Sequence, residues 1–167
     1  MKITVTSFFL VLFISQTGWS QKALEGLWTG TMTQGETEYK YELYIKRKKR
    51  NKLEARSLIY LSDTSYIEMA AKGIIHSDWS INLYDFELVE PKEVAEEYYF
   101  IRTYQLLFRR EFNDYFIKGW WQEKEVSTMD PKRRQGYIYL EKSKPSKAWV
   151  ALKLHTFYGP TVLFPIL

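Results

Sequence analysis

The chain has 167 residues, of which 46% are hydrophobic, 17% aromatic and 26% charged, and its net charge is +4. These values exclude a disordered or collagen-like chain and are typical of one compact domain. The chain contains no cysteine, which excludes disulfide frameworks, thiolate nucleophiles, zinc ribbons and the lipidated cysteine of a bacterial lipoprotein. The small basic excess is not the composition of a nucleic-acid-binding protein.

The first 20 residues have the pattern of an export signal. Lys2 precedes an apolar run from Phe8 to Ile14, and small or polar residues follow up to Ser20, as in a cleaved signal peptide. The apolar run is far shorter than the roughly twenty residues that a membrane-spanning helix needs, and no later run is long enough. We therefore predict a signal peptide over residues 1–20 and a mature protein in the periplasm or extracellular space, without a lipid anchor.

Apolar residues recur at every second position through most of the remaining sequence. From Thr37 to Lys46, for example, Tyr39, Tyr41, Leu43 and Ile45 alternate with charged or hydroxyl-bearing residues. This period is that of a strand with one buried face. The pattern predicts eight strands: Gly26 to Thr33, Thr37 to Lys46, Leu53 to Leu61, Tyr66 to Ile75, Trp79 to Leu88, Tyr98 to Arg109, Tyr115 to Lys124 and Gly136 to Lys142.

Short polar turns join most of these strands, which predicts antiparallel neighbours in up-and-down order. Two longer connections, Glu90 to Glu97 and Val126 to Gln135, predict open loops at a rim. Eight strands with one apolar face would expose two sheet edges, and closure removes them. We therefore predict an all-β fold, a closed eight-stranded antiparallel up-and-down barrel over residues 21–142. Residues 143–167 are predicted to form a tail with a short helix near Trp149, packed outside the barrel.

The segment Leu24–Gly30, with its Gly26-x-Trp28 spacing, resembles the opening motif of lipocalins and related calycin barrels. Two later strands, over residues 119–121 and 136–140, extend a resemblance to secreted bacterial calycin-like barrels with a Leu-x-Gly-x-Trp-x-Gly opening. In that superfamily the motif tryptophan lies at the closed end of the barrel under a basic residue, a position that Lys142 or Lys144 would fill. The resemblance implies a fold and an export compartment, and it implies no activity.

The chain has no recognisable arrangement of catalytic residues. A Gly-x-Ser-x-Gly elbow, a His-x-x-x-His motif and a phosphate-binding glycine loop are all missing from the sequence, and these are the patterns that serine hydrolases, zinc enzymes and nucleotide-binding proteins need. The two histidines, His76 and His155, lie far apart. We therefore predict no enzymatic activity, no metal ion and no cofactor.

The predicted inward side chains form an aromatic and apolar wall. An eight-stranded barrel is either filled by its own side chains or holds one small ligand, and the sequence leaves both possibilities open. Tyrosine hydroxyls in such an interior need partners, which water or a ligand would supply. The candidate ligand-binding residues are Trp28, Met32, Tyr39, Tyr41, Leu43, Met69 and Trp121.

A second candidate site is the hairpin between the second and third strands, where Lys46 to Lys52 contains six cations. Such a cluster attracts anionic surfaces, although a solvated hairpin tip is the simpler interpretation. The candidate anion-binding residues are Arg47, Lys48, Lys49 and Arg50. Strict up-and-down order places this hairpin at the end of the barrel opposite the loop that contains Lys132, Arg133 and Arg134.

Three functions remain open at this point. The first is an exported barrel that binds a small apolar or amphipathic ligand in its mouth. The second is an interaction module without a small ligand, which would use the basic hairpin or an outward aromatic stripe of Trp120, Tyr137 and Tyr139, unless the tail covers that stripe. The third is an eight-stranded outer-membrane barrel, because alternation alone does not say which face meets lipid. The sequence does not indicate the oligomeric state.

Overall fold

A computed structural model describes residues 22–90 and 100–143 of the chain. The predicted signal peptide, most of the loop after the fifth strand and the predicted tail helix lie outside these residues. The described part contains eight strands: β1 Gly26–Gln34, β2 Thr37–Arg47, β3 Lys52–Tyr60, β4 Tyr66–Ile75, β5 Ser80–Glu90, β6 Arg102–Glu111, β7 Asp114–Glu123 and β8 Gln135–Lys142. Within residues 22–90 and 100–143, no helix is long and apolar enough to span a bilayer.

The strands form one closed barrel in which each is antiparallel to its neighbours in the sequence, and β1 pairs with both β2 and β8. The predicted all-β, up-and-down barrel is thereby confirmed. Strand boundaries agree with the alternation pattern to within two residues, except that β6 begins at Arg102, whereas the predicted strand begins at Tyr98, which lies outside the described residues. Phe100, just before β6, is not part of the strand ladder and stacks on Trp121, with ring centroids 5.7 Å apart.

The alternation sorts side chains between the inside and the outside of the barrel, and the inward set forms one continuous core. Residues of this core are between 0% and 6% exposed, as expected for a closely packed interior. Burial of each large apolar side chain contributes about 1.5–3 kcal/mol to stability. The largest inward side chains, each less than 2% exposed, include Trp28, Trp121, Tyr41, Met32, Leu43, Ile45 and Ile59.

One end of the barrel is closed by packed side chains. Leu24, which precedes β1, is fully buried, and its carbonyl accepts a hydrogen bond of 2.9 Å from Trp28 Nε1. Phe108 packs edge-on against Trp28, with ring centroids 5.8 Å apart. The Nζ atom of Lys142 lies 4.5 Å from the centre of the Trp28 ring and donates to the Glu25 carbonyl. A basic residue from β8 therefore covers the motif tryptophan, as the lipocalin resemblance implies.

The other end, which we call the open end, has the longer connections, over residues 91–101 and 124–134. Here β5 and β6 pair only from Ser80–Leu107 to Tyr84–Thr103, although both strands are longer. Two register shifts between β4 and β5 also occur in this half of the barrel. The two strands diverge towards the open end, so the sheet is least regular there.

Gly136 allows β8 to lie close to β1. A Cβ atom at this position would overlap the Thr33 carbonyl oxygen and would lie 2.7 Å from Trp121 Nε1. That indole nitrogen donates a hydrogen bond of 2.9 Å to the same Thr33 oxygen. Trp121 on β7 therefore reaches across β8 to β1, and only a residue without a side chain leaves room for this bond.

We predict that Gly136→Ala lowers the free energy of unfolding by about 2 kcal/mol or more, because the methyl group forces the β8–β1 backbones apart and strains the Trp121 bond. Urea denaturation measures the change through the midpoint at constant m-value. The matched control is Gly35→Ala, since Gly35 has φ of 59° but no atom within 4 Å of an added Cβ. Its free energy of unfolding should fall by only about 1 kcal/mol. An equal loss of stability in both variants would contradict the packing argument.

Candidate functional site

Five polar side chains meet inside the barrel, and we call them the interior polar cluster. They come from four strands, point inward by strand alternation, and are each at most 2% exposed. Charged residues are almost never buried to this degree unless they are paired. The cluster consists of Tyr41, Ser57, Asp85, Arg102 and Tyr104.

Asp85 is the centre of the cluster. Tyr104 donates its hydroxyl hydrogen to Asp85 Oδ2 over 2.8 Å, and Arg102 Nη1 lies 3.6 Å from the same oxygen. Arg102 Nη1 also donates to the Phe100 carbonyl over 3.4 Å. The three groups form a buried, hydrogen-bonded ion pair, an arrangement in which removal of one charge leaves the other without compensation.

The position of this ion pair follows from the divergence of β5 and β6. The last paired residues of the two strands are Tyr84 and Thr103, and both face outward. The next residues towards the open end, Asp85 and Arg102, therefore face inward on adjacent strands. The charge pair joins the two strands just beyond the end of their backbone hydrogen bonding.

Two aromatic rings pack against Arg102. Its guanidinium lies 4.1 Å from the Phe100 ring centre and 5.6 Å from that of Trp121. Arg134, from the loop before β8, lies 4.6 Å from the same Phe100 ring. Guanidinium groups stack favourably on aromatic faces, so this layer fixes the orientation of Arg102 towards the interior.

Burial dominates the electrostatics of the cluster. Removal from water raises the pKa of Asp85 to about 6, although Arg102 and the Tyr104 hydrogen bond oppose the shift. The pKa values of Tyr41 and Tyr104 are also raised, first by burial and then by the negative charge of Asp85. Both tyrosines are therefore neutral hydroxyl donors at physiological pH, and Asp85 changes its charge near neutrality.

Several atoms of the cluster have unused hydrogen-bonding capacity. Within residues 22–90 and 100–143, four of its buried atoms have no hydrogen-bond partner: Tyr41 Oη, Ser57 Oγ, Asp85 Oδ1 and Arg102 Nε. The Tyr41 hydroxyl lies beside those of Tyr104 and Ser57 but meets neither in hydrogen-bonding geometry. A buried polar atom without a partner costs about 1–3 kcal/mol, so the cluster is suited to a bound molecule that supplies partners.

Four of the predicted ligand-binding residues belong to the cluster or border it. Tyr41 is a member, and Trp121 packs against Arg102. Leu43 and Met69 are buried and pair with Ser57 from either side, across the β2–β3 and β3–β4 ladders. The structure therefore brings these four side chains to one region of the interior.

The other three predicted residues lie elsewhere in the barrel. Met32 is buried in the main core, and Tyr39 is partly buried against it. Trp28 lies in the closed end under Lys142. The Trp28 ring is packed against its neighbours at that end and lies apart from the polar cluster.

Sequence reasoning missed Asp85, Arg102, Tyr104 and Ser57. A signal was nevertheless present, because the alternation that places Leu83 inside also places Asp85 inside. The alternation on β6 assigns Arg102 and Tyr104 to the interior in the same way. A charged residue in an otherwise apolar column is an informative departure from the pattern.

The basic hairpin lies at the closed end of the barrel. The Arg47 backbone N–H donates to the Glu25 carboxylate over 2.9 Å, and Lys48 forms an ion pair with Glu54 at 2.9 Å. The two residues at the tip are exposed, Lys49 and Arg50. The loop that contains residues 132–134 follows β7 and lies at the open end. The strand order thus separates the two basic segments, as predicted.

Among the described residues, no group of three or more His, Asp or Glu side chains is arranged to hold a metal ion. No protein-family model matches the chain, and no curated protein matches it. The closed eight-stranded antiparallel barrel is compatible with the calycin-like fold that the sequence motifs resemble.

We predict a pH-dependent stability term from Asp85. The pKa of this carboxyl is about 6 in the folded protein and about 3.9 in the unfolded chain, so between these values the folded state binds more protons. The contribution to stability is complete below about pH 4 and is lost as the pH rises through 6, by about 3 kcal/mol at most. In urea denaturation between pH 4 and 7, Asp85→Asn should remove this term. The free energy of unfolding of the variant should therefore rise relative to that of the wild type as the pH increases.

Glu87→Gln is the control for that experiment, because Glu87 is an exposed carboxylate on the same strand. Its pH dependence should follow that of the wild type. If Asp85→Asn retains the wild-type difference in stability between pH 4 and 7, the buried carboxyl is not the source of the term.

We also predict that Arg50→Gly raises the free energy of unfolding by about 1 kcal/mol. Arg50 and Asn51 have φ values of 58° and 61°, and a side chain costs about 1–2 kcal/mol in the left-handed region. Lys49→Gly removes the same charge from the same hairpin without relieving a positive φ, and it should not increase stability. A comparable gain in both variants, measured by urea denaturation, would assign the effect to charge.

Proposed function

We propose that the protein is an exported, calycin-like binding barrel that takes a small amphipathic molecule into its open half. The interior polar cluster would bind the polar group of the ligand, and the surrounding core would contact its apolar part. The observation that carries the proposal is that four buried polar atoms of this one cluster have no hydrogen-bond partner within the described part of the chain. Export is supported by the signal-peptide pattern of the first 20 residues.

The chemistry of the cluster favours an uncharged polar group on the ligand. Asp85 and Arg102 already compensate one another, so a charged head group would introduce a buried charge without a counterion. The unused atoms include donors, such as Arg102 Nε, and acceptors, such as Asp85 Oδ1. A hydroxyl or amide, which both donates and accepts, complements this set.

The charged residues on the outer face favour a barrel surrounded by water over an outer-membrane barrel. Arg56 and Glu68 form an ion pair at 3.7 Å on outward positions of β3 and β4, although both side chains are largely buried. Lys40 and Glu42 lie 3.8 Å apart on β2, and the Lys40 side chain is 65% exposed. The lipid-facing band of a membrane barrel is apolar at mid-height. An exposed outward charge such as Lys40 is costly in lipid and ordinary in water.

We predict that protein isolated without denaturation from its export compartment retains a small molecule, visible in native mass spectrometry as a mass adduct. 1-Decanol and decanamide serve as added probes of the proposed ligand class, and decanoic acid serves as a charged comparison. The double variant Tyr41→Phe/Tyr104→Phe removes two hydroxyls from the cluster without removing volume. It should bind the neutral probes at least about tenfold more weakly, since a lost hydrogen bond costs about 0.5–1.5 kcal/mol.

Tyr44→Phe is the matched control, because Tyr44 is an outward residue on the same strand as Tyr41. It should bind like the wild type. The proposal fails if the isolated wild-type protein carries no adduct and binds neither neutral probe. It also fails if the double variant binds as tightly as the control, because the cluster would then contain ordered water only.

A further inference from the structure

Eight outward residues of β5–β8 form two adjacent rows across four strands, and we call them the amide–aromatic face. Each residue is aligned with the next by strand pairing, so the rows are continuous. With strands about 4.8 Å apart, each row spans about 14 Å. The first row is Asn82, Gln105, Trp120 and Tyr137, and the second is Tyr84, Thr103, Gln122 and Gln135.

The face is accessible, and two clefts open along it. Trp120 is 63% exposed, and the Tyr137 ring meets it edge-on at 5.2 Å. Two clefts, of about 400 Å³ and 200 Å³, open on this side of the barrel, and Thr103 and Gln105 line both of them. The exposed indole therefore lines the smaller of the two clefts.

The composition of the face differs from that of the rest of the chain. Charged residues make up 26% of the sequence, yet none occurs among these eight positions. Four of the eight carry carboxamides. In the described part of the chain, the side-chain amides of Gln105, Gln122 and Gln135 have no hydrogen-bond partner, whereas that of Asn82 contacts His76 at 3.1 Å.

We propose that the amide–aromatic face binds a neutral oligosaccharide. A carboxamide both donates and accepts hydrogen bonds, which matches the neighbouring hydroxyls of a sugar ring. Aromatic rings provide flat apolar surfaces against which the C–H groups of a sugar pack. Trp120 would supply the main stacking surface, with glutamines on the strands at either side.

Other ligand classes fit this face less well. An anionic or cationic ligand would find no opposite charge in either row. A protein partner would require a more apolar centre than four carboxamides provide. Cations lie at the borders of the face: Lys72 and Lys124 are 5.5 Å and 5.2 Å from the Tyr84 ring. Lys118, the next outward residue to Trp120 on β7, forms an ion pair with Glu111 at 3.4 Å. The two rows themselves contain no charge.

The proposal is tested by affinity electrophoresis of the full mature protein in gels that contain a neutral polysaccharide. The probes are mannan, amylopectin, xyloglucan and hydroxyethylcellulose, with sulfated dextran as the charged comparison. At least one neutral probe should retard the wild-type protein independently of salt concentration. Trp120→Ala and, separately, Gln105→Ala/Gln122→Ala should each weaken retardation at least tenfold.

Phe112→Ala is the matched control, because Phe112 is a 97% exposed aromatic residue on the hairpin between β6 and β7 at the closed end. It should bind like the wild type, as should Tyr41→Phe/Tyr104→Phe, which separates this site from the barrel interior. Failure of every neutral probe to retard the wild type overturns the proposal. Equal retardation of Trp120→Ala and Phe112→Ala also overturns it. A third contradicting outcome is a wild-type dimer that the Trp120→Ala substitution dissociates, with no saccharide bound.

Discussion

Backbone pairing between β1 and β8 is the interaction on which the rest of the structure depends. It runs from Trp28–Lys142 to Met32–Ile138 and converts an eight-stranded sheet into a ring without a free edge. In a closed ring, the alternation of each strand assigns every residue either to the interior or to the exterior. The core, the buried ion pair and the outward rows are all consequences of that assignment.

The two ends of the barrel have different physical roles. Trp28, Leu24 and Phe108 fill the closed end, and Lys142 covers it, so apolar burial stabilises that half. In the open half, β5 and β6 diverge, and the Asp85–Arg102 pair joins them where backbone hydrogen bonds end. A buried ion pair is often no more stabilising than apolar residues of the same volume. The pair therefore adds little stability beyond what apolar residues would give, and its polar atoms are the ones that the proposed ligand would bind.

Strand β6 contributes to both proposed sites, since successive residues face opposite sides of the sheet. Arg102 and Tyr104 point into the barrel, whereas Thr103 and Gln105 point outward. The usual distribution of polarity is reversed in this region, because the charged pair is inside and the outer face is neutral. The two proposed sites therefore lie on opposite sides of one strand.

The sequence by itself determined the eight strands, their antiparallel order, the closure of the barrel and the placement of the basic hairpin away from the 132–134 loop. It also indicated Lys142 as a partner of Trp28. These features depend on local alternation and on counting connections, which a single sequence contains. Only the tertiary structure decided that Asp85 meets Arg102, that Phe100 leaves the strand to stack on Trp121, and that four carboxamides share one face. Such contacts depend on the register between strands, which is set by non-local backbone pairing across connections of variable length.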